Sequence, residues 1–305
     1  MYIQIGGIEQ WLQIGGQAPD HPVLLFLHGG PGGTSVPVAA AWRPWEDHFA
    51  VVHWDQRGAG RTFAKNGESG CGRLTIELMV KDAIEVAEFL ISHLAQPKIL
   101  LVGHSWGTAL GIHMLKRRPE LFSAFVGTRQ LVNMRKNEEY NYRRQMEQAE
   151  RLGNEEAVRA LRAIGPPPFP DRSSLITLRE WADRLAEGDG DSAEPRPSPR
   201  AADFKAEEAP TMLQGAEFSR KELYEELRQV DLPSLGPKFE VPVFFFEGTH
   251  DQQTPMELAQ QYYEAIEAPH KGFVRFEGCH HFVVFNRPDA FLRELLTHVR
   301  PLLGV

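Results

Sequence analysis

The stretch ILLVGHSWGTALG, residues 99–111, constrains the fold more strongly than any other part of the chain. An apolar, strand-like run leads directly into Gly103 and Ser105, and small residues typical of a helix follow. This G-x-S-x-G pattern predicts a sharp turn from strand to helix, in which a strained backbone presents the Ser105 hydroxyl above the sheet as a candidate nucleophile. A side chain at either flanking glycine, Gly103 or Gly107, would collide with its neighbours. The alternative is a chance match to a short pattern.

Apolar runs that end in Gly or Asp alternate with helical patterns, as is typical of βαβ units and a mostly parallel sheet. A helix is predicted at residues 75–94, because apolar residues recur there on one helical face. Another is predicted at Pro288–Leu303, where Pro comes early and one apolar stripe follows. The predicted fold class is therefore α/β, with a doubly wound sheet. The predicted strands are Val23–Leu27, Ala50–Trp54, Ile99–Val102, Ala124–Val126, Val243–Phe246 and Phe273–Phe276.

The middle of the chain, residues 128–235, interrupts this alternation. Two charged helices are predicted within residues 137–165, joined at Gly153 and Asn154. The Pro-rich, polar segment 188–203 is predicted to be a mobile loop. We therefore expect a largely helical cap that is inserted into the core. The predicted domains are the first part of the core at 1–127, the cap at 128–235 and the second part of the core at 236–305.

The bulk composition argues against several classes of protein. Acidic residues outnumber basic ones, 41 to 33, and the formal net charge of -8 argues against a nucleic-acid partner. No run reaches the roughly 20 apolar residues of a membrane helix, and the N-terminus lacks the basic region of a signal peptide. Cys71 and Cys279 have neither the number nor the spacing of a disulfide framework or a metal site. We expect a cytoplasmic protein without a membrane partner.

Glycines follow the first predicted strand in the segment LLFLHGGPGG, residues 24–33. Backbone amides that stabilise an oxyanion must approach the substrate without side chains in the way, and glycine allows this. Gly29 and Gly30 are therefore candidates for one half of an oxyanion hole, with the amide of Trp106 as the other half. A plain tight turn and a phosphate-binding loop are the alternatives. The usual phosphate-loop patterns do not occur here, and Pro31 removes one amide donor.

The segment WDQRGAGRT, residues 54–62, follows the second predicted strand. Asp55 and Arg57 could form a pair that fixes this loop, and a structural role is the preferred interpretation. A catalytic Asp55 is the alternative. It precedes Ser105 in the chain, however, whereas the usual order is Ser, then Asp or Glu, then His.

An acid in the expected place follows the strand predicted at 243–246. The segment PVFFFEGTHD ends in Asp251, on a loop beyond that strand, and Asp251 is the preferred acid. Its rivals are His250 and Glu247, which is expected at the strand end, where its side chain is less free to reach a histidine. The alternative role for Asp251 is an N-cap of a helix that begins near Pro255.

Two adjacent histidines, His280 and His281, follow the last predicted strand. The functional loops of a doubly wound sheet gather at the C-terminal ends of its strands, so either histidine could reach Ser105 and Asp251. Spacing alone does not choose between them.

Taken together, these motifs resemble the α/β-hydrolase fold and, within it, the proline iminopeptidase family. In that family's last motif a Pro lies seven and a Phe ten residues after the base, so Pro288 and Phe291 both select His281. His280 then stands where the family usually has Gly. The motifs that carry the resemblance are HGGPG at 28–32, DQRGAGRT at 55–62, GHSWG at 103–107, GTHD at 248–251 and the terminal histidine.

The resemblance implies acyl transfer by a serine hydrolase that needs no metal or organic cofactor. Ser105 would attack a carbonyl, His281 would take its proton, and Asp251 would orient the imidazole. The implied reaction releases an N-terminal proline or another small residue from a small peptide. The alternative is a carboxylesterase or amidase that acts on a small acyl substrate. A non-catalytic ligand-binding protein is disfavoured, because all three residues are retained together.

Members of this family also have cap carboxylates that receive the free amino terminus of the substrate. The charged helices predicted here offer several glutamates for that task, although a solvated helix face is the alternative interpretation of each. The candidates are Glu138, Glu139, Glu217, Glu222 and Glu225.

Overall fold

One eight-stranded sheet forms the centre of this computed structural model, which describes residues 1–16, 18, 20–188 and 204–304. The strands are β1 (Tyr2–Ile5), β2 (Ile8–Gly15), β3 (Val23–Leu27), β4 (Ala50–Asp55), β5 (Ile99–His104), β6 (Phe122–Thr128), β7 (Val243–Gly248) and β8 (Lys271–Phe276). Their spatial order is β1-β2-β4-β3-β5-β6-β7-β8. Strands β3 to β8 are parallel, whereas β2 pairs antiparallel with both β1 and β4. The predicted α/β class and mostly parallel sheet are confirmed.

Helices connect and flank these strands. The α-helices of the described residues are α1 (Gly60–Cys71), α2 (Ile76–His93), α3 (Trp106–Arg117), α4 (Met134–Arg151), α5 (Glu155–Ile164), α6 (Arg172–Gly188), α7 (Ala209–Leu227), α8 (Met256–Ala265), α9 (Val283–Asn286) and α10 (Pro288–Glu294). A long 3₁₀ segment covers Val36–Asp47, and a π-helical turn, Leu295–Val299, extends α10. All six predicted strands are present, most of them longer at one or both ends than the sequence indicated.

The antiparallel hairpin of β1 and β2 was not predicted. Gly6 and Gly7 form its turn with positive φ angles of 56° and 80°, in the left-handed region that glycine tolerates best. Ile3 and Ile5 of β1 alternate with exposed residues and are buried. The hairpin extends the sheet beyond β4.

Both faces of strands β3 to β7 are buried, which explains their continuous apolar sequences, whereas β8 at the edge of the sheet is mostly half-buried. In β3, Leu24 and Phe26 join one hydrophobic cluster, whereas Leu25 and Leu27 join the cluster on the other side. This alternation follows from the two-residue period of a strand. The sheet is therefore the middle layer of the fold, with helices on both sides.

Two tryptophans of the 3₁₀ segment fix the chain that follows His281. The rings of Trp42 and Trp45 stack with centroids 4.4 Å apart. The Trp42 indole N–H donates to the carbonyl of Val284, at 3.1 Å, and that of Trp45 donates to the carbonyl of Pro288, at 3.2 Å. Buried indoles combine a large apolar contact with one directional hydrogen bond. They hold α9 and the start of α10 against the core.

Helices α4 to α7 lie in the segment that was predicted to be a cap. The two predicted charged helices are present as α4 and α5, and the Asn154 side chain caps α5 by accepting from the amide of Ala157. The Glu226 carboxylate of α7 accepts from the amide of Ile76, at 2.7 Å, at the start of α2 in the core. The loop predicted at 188–203 lies, from residue 189 onward, outside the described residues. The division into core and cap remains a prediction.

Candidate active site

Ser105 lies at a sharp turn between β5 and α3. Its φ and ψ angles are 54° and -117°, a sparsely populated conformation for a residue with a side chain. The Ser105 amide donates to the carbonyl of Thr128 in the neighbouring strand, at 3.0 Å. A Cβ atom on Gly107 would lie 2.1 Å from the Leu27 carbonyl oxygen, and one on Gly103 would lie 2.6 Å from the Gly107 carbonyl oxygen. Glycine is therefore required on both sides of Ser105.

The predicted oxyanion residues surround Ser105. A Cβ atom on Gly29 would lie 3.2 Å from the Ser105 Cβ, so the loop after β3 touches the turn. Gly30 has a φ of +125°, and Trp106 is the first residue of α3, where amides have no partner inside the helix. Within the described part of the chain neither amide donates a hydrogen bond. Both are available to an oxyanion.

Gln56 ties these two loops together. Its amide donates to His28 Nε2, at 3.1 Å, and its side-chain nitrogen donates to the His28 carbonyl, at 3.2 Å. Its side-chain oxygen accepts from the indole N–H of Trp106, at 3.1 Å. Burial lowers the pKa of His28 to about 4, so its imidazole is neutral and can accept. The sequence assigned this loop a structural role without identifying Gln56, whose partners come from distant parts of the chain.

The predicted pair of Asp55 and Arg57 is wrong. Arg57 Nε lies 2.7 Å from Asp82 Oδ2 of α2, and both side chains are buried. The Asp55 carboxylate instead accepts from the amide of Arg61, at 2.8 Å, and from the Thr34 hydroxyl. The first turn of α1 offers free amides, which attract the Asp55 carboxylate more directly than a side chain that points to α2.

Asp251 and His281 are joined by a buried hydrogen bond. His281 Nδ1 lies 2.8 Å from Asp251 Oδ2. Asp251 Oδ1 accepts from the amides of Gln253 and Thr254, at 2.6 and 3.0 Å, and Oδ2 also accepts from the Thr254 hydroxyl. Burial by itself raises the pKa of Asp251, but His281, Arg129 and these amides hold it below its usual range. An ionised Asp251 fixes the His281 ring with Nδ1 as the donor.

The alternatives to these two residues lie elsewhere. The helix after Asp251, α8, begins at Met256 with Pro255 as its N-cap, so Asp251 organises its own turn instead of capping the helix. His280 lies with its ring centroid 5.8 Å from that of His250, whereas His281 lines the cavity that contains Ser105. Of the two histidines, His281 is therefore the one joined to Asp251 at this cavity.

Helix α4 holds the loop of Asp251 in place. The side-chain amides of Asn137 and Asn141 both donate to the carbonyl of Gln253, at 2.6 and 3.0 Å. Arg144 Nη1 donates to the Asp251 carbonyl, at 3.2 Å. Three consecutive turns of one face of α4 thus contact this loop. A shift of α4 would therefore change the position of Asp251 and, through it, of His281.

Arg129 and Glu247 are two buried ionisable residues behind Asp251. Arg129 has a left-handed φ of 58°, and its Nε lies 3.7 Å from Asp251 Oδ2. Glu247 Oε1 accepts from the amide of Gln130, at 2.9 Å, whereas Oε2 has no partner in the described residues. Burial raises the pKa of Glu247 to about 8. Sequence analysis missed Arg129, because its proximity to Asp251 depends on the pairing of β6 with β7.

As pH rises, the Glu247→Gln variant is expected to become more stable relative to the wild type. The folded-state pKa of Glu247 is about 8, against about 4.3 in an unfolded chain. Between these values the folded state holds a proton that the unfolded state has lost, so the free energy of unfolding contributed by Glu247 falls as pH rises. Urea unfolding at pH 5 and pH 8 should show that the variant gains roughly 2 to 4 kcal/mol on the wild type over this interval. The exposed Glu240→Gln is the control, and parallel pH dependences of Glu247→Gln and wild type would contradict the assignment.

A cavity of about 500 Å³ lies over Ser105, between the C-terminal ends of the strands and helices α4, α6 and α7. Gly29, Gly30, Ser105, Trp106 and His281 line its floor. The wall of the cavity opposite this floor is formed mainly by one face of α6 and one face of α7. The lining residues from the three helices are Met134, Asn137, Arg172, Leu175, Ile176, Arg179, Glu180, Glu217, Arg220, Tyr224 and Leu227.

The candidate cap carboxylates have different surroundings. Glu217 lines the cavity and is held by Arg172. Glu138 is buried, so a solvated helix face is wrong for this residue. Glu139 and Glu225 are exposed; Glu139 pairs with Arg135 of α4, and Glu225 pairs with Arg228, the residue after α7. Sequence analysis did not identify Glu180, which also lines the cavity.

Within the described ranges, no group of three or more His, Cys, Asp or Glu side chains could hold a metal ion. None of the helices in the same ranges is both long and apolar enough to cross a membrane.

Known proteins resemble this chain over nearly its full length. A probable aminopeptidase, YbaC of Bacillus subtilis, is 33% identical over 306 residues, which cover 98% of this chain and 95% of the relative. A proline iminopeptidase of Lactobacillus helveticus is 25% identical, covering 95% and 93%. The crystal structure of proline iminopeptidase from Mycobacterium smegmatis is 20% identical, covers 99% of this chain and 98% of that one, and superposes with a TM-score of 0.65.

The family of this chain follows from its match to the sequence model of a known protein family. Residues 24–294 match the Alpha/beta hydrolase family, a span that includes Ser105, Asp251 and His281. The strand order and the turn at Ser105 agree with this match. This chain belongs to the α/β hydrolase family.

Proposed function

We propose that this protein is a serine hydrolase of the proline iminopeptidase type, which releases an N-terminal proline or another small residue from short peptides. The observation that carries the proposal is the 2.8 Å hydrogen bond between His281 and Asp251 at a cavity that also contains Ser105. The relatives named aminopeptidase and proline iminopeptidase support the peptide substrate. The neutral imidazole of His281 is the base in this proposal.

The proposed reaction proceeds through an acyl-enzyme. Ser105 Oγ attacks the scissile carbonyl carbon while His281 Nε2 takes its proton, because Nδ1 is engaged by Asp251. The carbonyl oxygen becomes an oxyanion and accepts from the amides of Gly30 and Trp106, which contribute roughly 3 kcal/mol each in comparable enzymes. His281 then donates the proton to the leaving amine as the C–N bond breaks. A water molecule, activated by the same imidazole, hydrolyses the ester.

Recognition of a free amino terminus would need a carboxylate at the cavity. Of the two lining glutamates, Glu217 is engaged by Arg172, so Glu180 is the proposed partner of the substrate ammonium. One observation favours the alternative of a carboxylesterase or amidase. Three arginines line the same cavity, and excess positive charge does not favour a cationic substrate.

A panel of chromogenic substrates tests the proposal. L-proline p-nitroanilide is expected to be cleaved with at least a 10-fold higher kcat/KM than N-blocked proline p-nitroanilide, because only the free amine can pair with a carboxylate. Alanine p-nitroanilide measures preference for proline, p-nitrophenyl butyrate measures esterase activity, and Ser105→Ala is the blank. Cleavage of the ester alone, lost in Ser105→Ala, would retain the nucleophile and contradict the peptidase.

A further inference from the structure

Arginines dominate the charged groups on the cap side of the cavity. Arg172 and Arg179 are seven residues apart on α6, two helical turns, and therefore lie on one face. Leu175 and Ile176 lie between them on that face, and α7 adds Arg220. A hydrolase that accepted only uncharged substrates would have no use for guanidinium groups here, where Arg172 and Arg179 are partly withdrawn from water.

Arg172 is neutralised by the protein itself. Its two terminal nitrogens donate to the two carboxylate oxygens of Glu217, at 2.5 and 2.6 Å. This two-bonded arrangement is the geometry in which arginine and carboxylate interact most strongly. Hydrogen bonding to Glu217 raises the pKa of Arg172. The pair connects α6 to α7 and forms a wall of the cavity.

Arg179 has no such partner. In the described ranges its guanidinium makes neither a hydrogen bond nor an ion pair within 4 Å. Burial lowers the pKa of Arg179, Glu138 opposes this effect, and Arg220 and Arg172 lower it further. Burial also raises the pKa of Glu138 to about 7, so near neutral pH that carboxyl is partly protonated and neutralises Arg179 incompletely. Arg179 is thus a half-buried cation at the cavity, with too little counter-charge.

We propose that Arg179 binds a carboxylate on the leaving-group side of the substrate, so that the enzyme prefers di- and tripeptides with a free C-terminus. This inference rests on the proposed hydrolase function and names the substrate class of the same site. A guanidinium presents parallel N–H groups that match the two oxygens of a carboxylate. A cavity of about 500 Å³ is in the size range of small-ligand sites and suits a short peptide.

Matched substrates and variants test this proposal. Prolyl-alanine and prolyl-alaninamide differ only in the terminal carboxylate, and Arg179→Gln removes the charge while keeping polar atoms. Arg184→Gln is the control, because Arg184 lies on the same helix but is exposed and pairs with Glu156. Arg179→Lys keeps the positive charge but lacks the planar guanidinium with its parallel N–H groups. The ratio of kcat/KM for the acid to that for the amide is measured for each protein.

The wild type and Arg184→Gln are expected to prefer the acid by about 10-fold or more, since a charge-assisted hydrogen bond is lost with the amide. Arg179→Gln should reduce that ratio by about 10-fold, mainly through KM for the acid, and Arg179→Lys should restore part of it. Equal ratios in wild type and Arg179→Gln, or no preference in the wild type, would overturn the proposal.

A second pair of substrates separates this inference from the peptidase proposal. The esters 4-butyryloxybenzoate and 4-butyryloxybenzamide place the same charge difference on a phenol leaving group. Peptide cleavage without a charge preference would keep the peptidase and overturn the role of Arg179. An Arg179-dependent preference on the esters, with neither peptide cleaved, would support Arg179 and contradict the peptidase. Cleavage of neither pair would overturn both.

Discussion

Replacing His281 by alanine is expected to lower kcat by roughly 10⁴-fold to 10⁶-fold, whereas His280→Ala should retain activity within about 10-fold of wild type. Of these two histidines, it is His281 that is hydrogen-bonded to Asp251 and lines the cavity with Ser105. Its loss removes both the acceptor of the serine proton and the donor to the leaving group. The two variants are adjacent in the chain, so their comparison controls for the general effect of truncating an imidazole in this loop.

Steady-state kinetics on the best substrate of the panel checks this prediction, with circular dichroism to show that both variants are folded. His281 is buried and His280 is half-buried, so His281→Ala is expected to lose more stability than His280→Ala. A loss in kcat with retained folding supports the assignment. The reverse result, an inactive His280→Ala beside an active His281→Ala, would contradict it.

Ser105→Ala is expected to lower kcat by roughly 10⁶-fold, leaving only the catalysis that binding and the oxyanion amides provide. Alanine keeps the Cβ atom at the strained φ of 54°, so the turn and its cost in free energy are retained. The thermal unfolding temperature should therefore change little. Measured kcat and unfolding temperature together distinguish the loss of a nucleophile from the loss of the fold.

Residual activity above about 1% of wild type in Ser105→Ala would show that a different group performs the reaction. Thr34 lines the same cavity and also carries a hydroxyl group, which donates to Asp55. Thr34→Val is thus the matched control for removing a hydroxyl from this cavity, and it should remain active.

Local patterns in the sequence predicted most of the core. Buried parallel strands have continuous apolar sequences, and helices on a sheet have one apolar face, so strands β3 to β8 and helix α2 could be identified without long-range information. The hairpin of β1 and β2 could also have been found. Gly6 and Gly7 separate two short runs of alternating apolar and polar residues, which is a known hairpin pattern.

Sequence analysis could not predict those contacts of the candidate site that join residues from distant segments of the chain. The glycines around Ser105 follow from local geometry and were expected. By contrast, Arg57 pairs with Asp82 and not with its close neighbour Asp55, because α2 passes behind the loop after β4. The hydrogen bonds of Gln56 could not be predicted from the sequence, because they depend on three loops that meet at the ends of the strands.

The charged residues of α4 and α6 show the same limit of sequence analysis. A run of charged residues on a helix usually marks a solvated face, and this holds for Glu139. It fails for Glu138, the next residue, because that side chain is buried. The packing of α6 against α7 decides that Arg172, and not Arg179, pairs with Glu217. No sequence pattern indicates this choice.

The central claim is that Ser105 is the nucleophile, and intact-protein mass spectrometry after treatment with a fluorophosphonate tests it most directly. A serine activated by a neighbouring imidazole attacks phosphorus and displaces fluoride, forming a stable phosphonyl ester. The account predicts one adduct per chain, located by peptide mapping in the segment that contains Ser105 and absent from Ser105→Ala. An unlabelled wild type, or equal labelling of Ser105→Ala, would contradict it.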